Sequence, residues 1–237
     1  MFVLVGDQVP PEELAHLEAC ARVVLDSGDG SLAARLHRVD APRSSLPWFT
    51  PSLDAEDSSR RVPRPALEFD NGTGGFSQDG REYILEVPPG KLPPAPWCNV
   101  LANAECGAMV SEAGLGMTWS LNSGENRLTP WHNDAVRDPP SEALYLRDEE
   151  TASVWSPTPL PAGLSGHTLV RHGAGYTSYE RESHGLWQEL TVFVPPAAGL
   201  KVVRLRLRNL LPRHRRLTAT YYAEWVLGRQ LSMARPP

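Results

Sequence analysis

Between Trp119 and Asp134 the chain gathers two indoles, three asparagines, two carboxylates and a guanidinium into one short stretch. Trp119 and Trp131 offer flat apolar rings, while Asn122, Glu125, Asn126, Arg127 and Asn133 offer forked donors and acceptors. That mixture suits a sugar, whose ring faces stack on aromatic surfaces and whose hydroxyls need both donors and acceptors. The residue types leave two readings open. The stretch is either a sugar-contacting loop or a polar corner whose tryptophans turn inward to fill a sheet.

Other residues capable of chemistry lack the spacing that would organise them. His132 stands beside Asn133 and Asp134, but no second histidine follows at metal-ligand distance, and His167, His172 and His184 are irregularly placed. Ser165 and Ser183 each neighbour a glycine and a histidine without forming the Gly-x-Ser-x-Gly elbow of a nucleophile. Glu149 with Glu150, and Glu180 with Glu182, fit turns and strand edges better than the carboxylate pair of a glycosidase. The glycine run from Asn71 to Phe76 has neither G-x-G-x-x-G nor G-K-[ST], and the strand-like Arg81–Val87 follows it rather than a helix, so it reads as a turn. The expectation is no catalytic residue, no metal site and no cofactor.

The chain has 237 residues and a net charge of −5, which argues against a general nucleic-acid binder. The arginines between Lys201 and Arg216 mostly alternate with leucine and valine, the mark of a solvated strand face rather than a phosphate track. No apolar run is long enough for a membrane helix. The opening residues lack a basic region and meet Asp7 early, against a signal peptide. Cys20, Cys98 and Cys106 are odd in number and without zinc spacing, which favours a reduced, cytoplasmic setting.

The elements that must position these residues fall into three spans. Residues 1–39 read as a short strand and two short helices. The first helix starts behind Pro10 and Pro11 with Glu12 and Glu13 in its opening turn, and carries Leu14, Leu17 and Ala21 on one stripe. Residues 40–65 read as a linker, broken by Pro42, Pro47, Pro51, Pro63 and Pro65. Residues 66–237 read as many short strands separated by turns, hence a mainly β, antiparallel β-sandwich. Within it the alternating run from Arg171 to Glu182 reads as one strand. Val202–Arg208 and Leu217–Val226 read as a pair around residues 209–216. Trp97, Trp155, Trp187 and Trp225 are expected in the core.

Several motifs in order resemble a known family: Asn71–Phe76, Asp79–Tyr83, Glu125–Trp131, Glu142–Asp148 and Glu224–Gly228. Together they are similar to the amino-terminal β-sandwich of glycoside hydrolase family 94, and within it to the carboxy-terminal phosphorylase part of the cyclic β-1,2-glucan synthases. The likeness runs from Ala66 to about Gly228, and Arg22 to Leu36 resembles the segment before the sandwich in the synthases. The resemblance implies an inverting phosphorylase as parent, in which phosphate is co-substrate and replaces the activated water of an inverting glycosidase.

In that family the general acid lies in an (α/α)6 barrel after the sandwich, so the chain alone is expected to be inactive. The resemblance implies a non-catalytic supersandwich domain that packs on the barrel, its loop at Trp119–Asp134 lining the outer part of a cleft for β-glucan or oligosaccharide. The parent synthase is expected at the inner membrane. Alternatives are a free-standing carbohydrate-binding module, which needs an exposed aromatic platform, and a truncated gene product without function. Family members continue with further strands, so the sandwich is expected to be incomplete at its end. Val202, Leu205, Leu207, Tyr221 and Trp225 would then flank an open edge and favour self-association.

Overall fold

Alternation builds the architecture. From Tyr176 to Ser183 every second side chain is buried (Thr177, Tyr179, Arg181 and Ser183), while Tyr176, Ser178, Glu180 and Glu182 face outward. A period of two buries one face of a strand and wets the other. Among the described residues twelve strands form two antiparallel sheets packed face to face, the expected β-sandwich.

The computed structural model describes residues 9–14, 50–53 and 59–228. The chain divides into two compact units, residues 1–48 and 49–237. In the first, residues 11–14 form one helical turn, with the Leu14 amide donating to the Pro10 carbonyl at 3.0 Å. The expected opening strand, the rest of this helix and the second helix lie outside the described residues, as do Trp48 and Phe49. In the second unit residues 50–53 and 59–65 follow the sandwich without regular structure. The amides of Ser52 and Leu53 reach the Glu150 carbonyl, and the Arg60 amide reaches that of Glu182 at 2.9 Å.

The strands are β1 (Gly74–Phe76), β2 (Glu82–Val87), β3 (Cys98–Ala102), β4 (Cys106–Ser111), β5 (Leu115–Ser120), β6 (Glu142–Asp148), β7 (Val154–Trp155), β8 (Thr168–Gly173), β9 (Tyr176–Ser183), β10 (Leu186–Phe193), β11 (Val202–Asn209) and β12 (Leu217–Ala223). The first sheet runs β1-β2-β8-β9-β10-β11. The second runs β12-β6-β5-β4-β3, with β7 beside β6.

Two expectations about connectivity are corrected. The run from Arg171 to Glu182 is a hairpin, because Gly175 takes φ +87° and turns β8 into β9. β11 and β12 do not pair: β11 completes the first sheet against β10, and β12 completes the second against β6. The connection between them crosses from one sheet to the other.

The main core joins both sheets through Leu85 and Val87 of β2, Val170 of β8, Leu190 and Val192 of β10, and Leu101, Val110, Leu115 and Leu144 opposite. A smaller cluster of Leu146, Trp155 and Leu186 closes one end, with Leu205 and Leu217 against it. Trp155 is 1% exposed, as expected of a core residue, and its indole N–H donates to Gln188 at 2.8 Å. Trp187 is half-buried. Trp97 and Trp225 are corrections, being 40% and 65% exposed. Trp97 instead stacks on Tyr83 at 4.6 Å, and Trp225 lies beyond the end of β12.

Candidate functional site

The stretch from Trp119 to Asp134 begins at the end of β5 and leads towards β6. It does not swing free. Residues 126–129 fold back along β5: the Ser120 amide donates to the Asn126 carbonyl and the Leu128 amide to the Thr118 carbonyl, each at 2.9 Å. On its other side the Val226 and Gly228 amides donate to Leu128 and Arg127, at 3.0 and 2.8 Å. The segment is thus a short extra rung between β5 and residues 226–228, with Arg127 bridging Trp119 and Gly228.

Trp119 is half-buried on the outer face of the second sheet. It pairs across strands with Gly107, where an added Cβ would come within 2.2 Å of the indole. The ring therefore lies flat on glycine backbone, an aromatic covering a bare position in the sheet. Asn122 is exposed, but its side-chain oxygen accepts the Gly124 and Glu125 amides at 2.8 and 3.0 Å and builds the turn. Arg127 is half-buried and donates from Nε to the Ser123 carbonyl at 2.8 Å. Glu125 and Asn126 are exposed, Trp131 is half-buried, and Asn133 is exposed with φ +51°.

Six of the seven residues therefore divide. Asn122 and Arg127 serve the loop's own geometry. Trp119 commits one ring face to Gly107. The side-chain amides of Asn126 and Asn133 have no protein partner among the described residues and point to the surface with Trp131.

Beneath this loop lies an ionic knot that sequence reasoning did not single out. Glu142, the first residue of β6, is 3% exposed and pairs with the Lys201 ammonium. Thr118 and Tyr221 also donate to its carboxylate, and Thr129 does so at 2.9 Å. Lys201 donates in addition to Thr118 Oγ1 at 2.7 Å. Burial pushes the Glu142 carboxyl up, but Lys201 and these hydrogen bonds more than offset it, so it titrates below the usual glutamate value. The knot floors a pocket of about 210 Å³ whose walls include Leu128, Leu200, Tyr221 and Trp225. The only signal in the sequence was a glutamate at the inward-facing start of a strand.

The far end of β6 repeats the arrangement. Asp148 is fully buried, accepts the Glu150 amide at 2.8 Å and pairs with Arg215. β6 is thus held at both ends by carboxylates, and the two cations come from the chain just before β11 and just before β12.

The other histidines and acids stay scattered. His132 Nε2 is 3.7 Å from Glu224, and His167 Nδ1 is 3.6 Å from Glu86. Among the described residues no group of three or more His, Cys, Asp or Glu converges as a metal site would. No described helix is long and apolar enough to cross a membrane. Of the edge residues expected to lie open, Leu207, Tyr221 and Trp225 are exposed, whereas Val202 and Leu205 are half-buried.

A family model for the glycosyl hydrolase 94 supersandwich domain matches residues 81–236. Over its whole length the chain is 33% identical to a cyclic β-(1,2)-glucan synthase, NdvB, of Rhizobium meliloti (strain 1021), and covers 9% of that protein. Over 64% of its length it is 30% identical to an N,N'-diacetylchitobiose phosphorylase of Vibrio furnissii, covering 19% of it. A solabiose phosphorylase of Paenibacillus borealis is 26% identical over 66% of the chain, which covers 20% of that relative. The chain therefore spans a small part of the length of each.

Proposed function

The chain belongs to the family of glycosyl hydrolase 94 supersandwich domains, and from that premise we propose that it is a non-catalytic β-sandwich of a larger carbohydrate-active enzyme. In this reading it packs on a catalytic (α/α)6 barrel and shapes the outer part of the glucan cleft with the loop at residues 119–134. The supporting observation is the division within that loop. Its backbone at residues 126–129 is clamped between β5 and residues 226–228, while the side-chain amides of Asn126 and Asn133 have no protein partner among the described residues. A rigid rung carrying free polar ends and a partly open indole is what a cleft wall needs, since held groups lose little freedom on binding. The buried acids of the sandwich have structural partners: Glu142 has Lys201, Asp148 has Arg215, and Glu112 holds the Trp97 amide at 2.6 Å.

Two variants separate wall from clamp. In a protein that carries the barrel, Asn126→Ala combined with Trp131→Ala is expected to weaken oligoglucan affinity about tenfold, the factor set by about 1.4 kcal/mol, with little change in Tm. Arg127→Ala is expected to do the reverse, lowering Tm by several degrees because the Ser123 contact is lost, with affinity per folded molecule unchanged. Calorimetric titration and thermal melts on both proteins provide the comparison. An unaltered affinity in the first variant refutes the cleft assignment.

The isolated chain is also expected to release no glucose 1-phosphate from β-1,2-oligoglucan and phosphate. Product detected above a boiled control would overturn the non-catalytic reading.

A further inference from the structure

We propose that the outer face of the first sheet is a second carbohydrate-contacting surface, a trough across β2 and β8–β11 that takes a neutral oligosaccharide. The proposal is independent of the loop at 119–134, which stands on the other sheet.

Register lays the trough out in rows. One row reads Glu82, Gly173, Tyr176, Phe193 and Val202 from β2 to β11; the next reads Ile84, Arg171, Ser178, Thr191 and Arg204. A third brings Glu180 of β9 opposite Glu189 of β10, with Arg206 beyond it. The small side chains of Ser178 and Thr191 form the floor between an aromatic row and an acidic row. The resulting trough has a volume of about 450 Å³, within the roughly 300–1,000 Å³ typical of small-molecule sites.

Its aromatic side is prepared for stacking. Tyr176 lies over Gly173, where a Cβ would come within 2.4 Å of the ring, so the tyrosine is pressed against glycine backbone as Trp119 is on Gly107. Its hydroxyl donates to Glu82, which also accepts from Arg171 at 3.1 Å. Phe193 stands beside it on β10, half-buried. Fixed, partly open rings of this kind suit the apolar face of a sugar.

The acidic side is arranged at the sheet's expense. Carboxylates directly opposite one another destabilise a strand pair, yet Glu180 faces Glu189. Each has one oxygen engaged: Glu180 Oε1 accepts the Trp187 indole N–H at 2.8 Å, and Glu189 Oε1 accepts from Arg204 and Arg206, both at 3.4 Å. The Oε2 atoms and Ser178 Oγ have no protein partner among the described residues. Oriented acceptors with a free lone pair suit sugar hydroxyls. Departure from a local rule on an otherwise regular face is the pattern of a functional site.

Charge selects the ligand class. Glu82, Glu180 and Glu189 balance Arg171, Arg204 and Arg206 in the lining, so the trough carries no net charge. A polyanion gains no attraction from such a surface, whereas a polyhydroxylated neutral chain finds donors, acceptors and rings together.

The test is backbone amide shift mapping of the full chain with two neutral β-gluco-oligosaccharides, sophorotetraose and cellotetraose, at millimolar concentration, with dextran sulfate as the charged control. Saturable shifts at Ser178, Glu180, Thr191 and Arg204 are expected with at least one neutral sugar. Glu180→Gln should weaken that binding about fivefold, and Ser178→Trp, which fills the floor without removing a hydrogen bond within the protein, should abolish it. Asn126→Ala with Trp131→Ala should leave it unchanged, so failure of the loop assignment does not touch this one. Shifts confined to residues 119–134, a response only to dextran sulfate, no shift with either sugar, or full binding by a Ser178→Trp protein of native amide dispersion would each overturn the proposal.

Discussion

Replacing Lys201 by methionine is expected to cost the sandwich about 3–5 kcal/mol, the usual penalty for stranding one member of a buried ion pair. Lys201 and Glu142 have side chains only 8% and 4% exposed. Methionine fills the space of the lysine stem but leaves the Glu142 carboxylate with Thr118, Thr129 and Tyr221 as its only donors. Against a typical domain stability of about 5–15 kcal/mol this is a large fraction. The double variant Lys201→Met/Glu142→Gln should recover most of the loss, because the amide carries no charge and its oxygen can still accept from the two threonines. Urea denaturation of the single and double variants measures both values. If the double variant is no more stable than Lys201→Met, the ionic knot is not what the lysine supports.

A flat stability profile between about pH 4.5 and 6.5 is expected to hide two opposed slopes. Glu112 is 2% exposed, and burial raises its carboxyl from the ordinary 4.5 to about 7, although the Trp97 amide donates to it. Burial likewise raises the neighbouring Asp138, which accepts from Ser111. A raised carboxyl binds its proton more tightly in the folded state. Its stabilising contribution is complete below 4.5 and is lost as pH climbs through 7.

His172 behaves oppositely. Burial lowers its imidazole from 6.5 to about 4, while Nδ1 meets Thr177 Oγ1 at 2.9 Å. Its contribution is complete above 6.5 and is lost as pH falls through 4. Each group is worth up to about 3 kcal/mol, at about 1.4 kcal/mol per pH interval of one. Glu112→Gln should therefore stabilise the protein near neutrality and expose a loss on acidification. His172→Gln should expose the reverse slope. Melts of both variants from pH 4 to 8 test this, and parallel profiles would show that the two groups are not shifted as described.

Strand positions were legible because burial here follows side-chain alternation. Tyr176–Ser183 alternates in burial along its whole length, even where the inward residues, Arg181 and Ser183, are polar. Partnership was less legible, because alternation says which way a side chain faces and not which strand lies beside it. Val202–Arg208 and Leu217–Val226 are adjacent in sequence and each looks like half of a hairpin, yet they close different sheets. The break at Gly175 was hidden because the alternating pattern continues on both sides of the turn.

The candidate loop showed its composition but not its division of labour. Nothing in the residue types separates Asn122, which holds the turn, from Asn126, which does not. Lys201 and Glu142 are far apart in the chain, and only the fold brings them together. Trp225 reads as core because large aromatic side chains bury much apolar area, but it stands 65% exposed past the end of β12.

The second sheet is joined unevenly. β12 and β6 pair along seven residues, and β4 and β5 along most of theirs, but β5 meets β6 only at Leu115 and Glu142. In mechanical terms the sheet is two stiff ribbons, β3-β4-β5 and β7-β6-β12, sharing one rung. The ribbons are otherwise linked through the Glu142 knot and the rung of residues 126–129 against residues 226–228. One ribbon carries Trp119, the other leads into Trp225. A change of tilt between them would strain the Leu115–Glu142 rung, the backbone bonds of residues 126–129 and a few side-chain bonds while leaving the longer ladders intact. The softest angular coordinate of this sheet therefore runs beside the loop at residues 119–134.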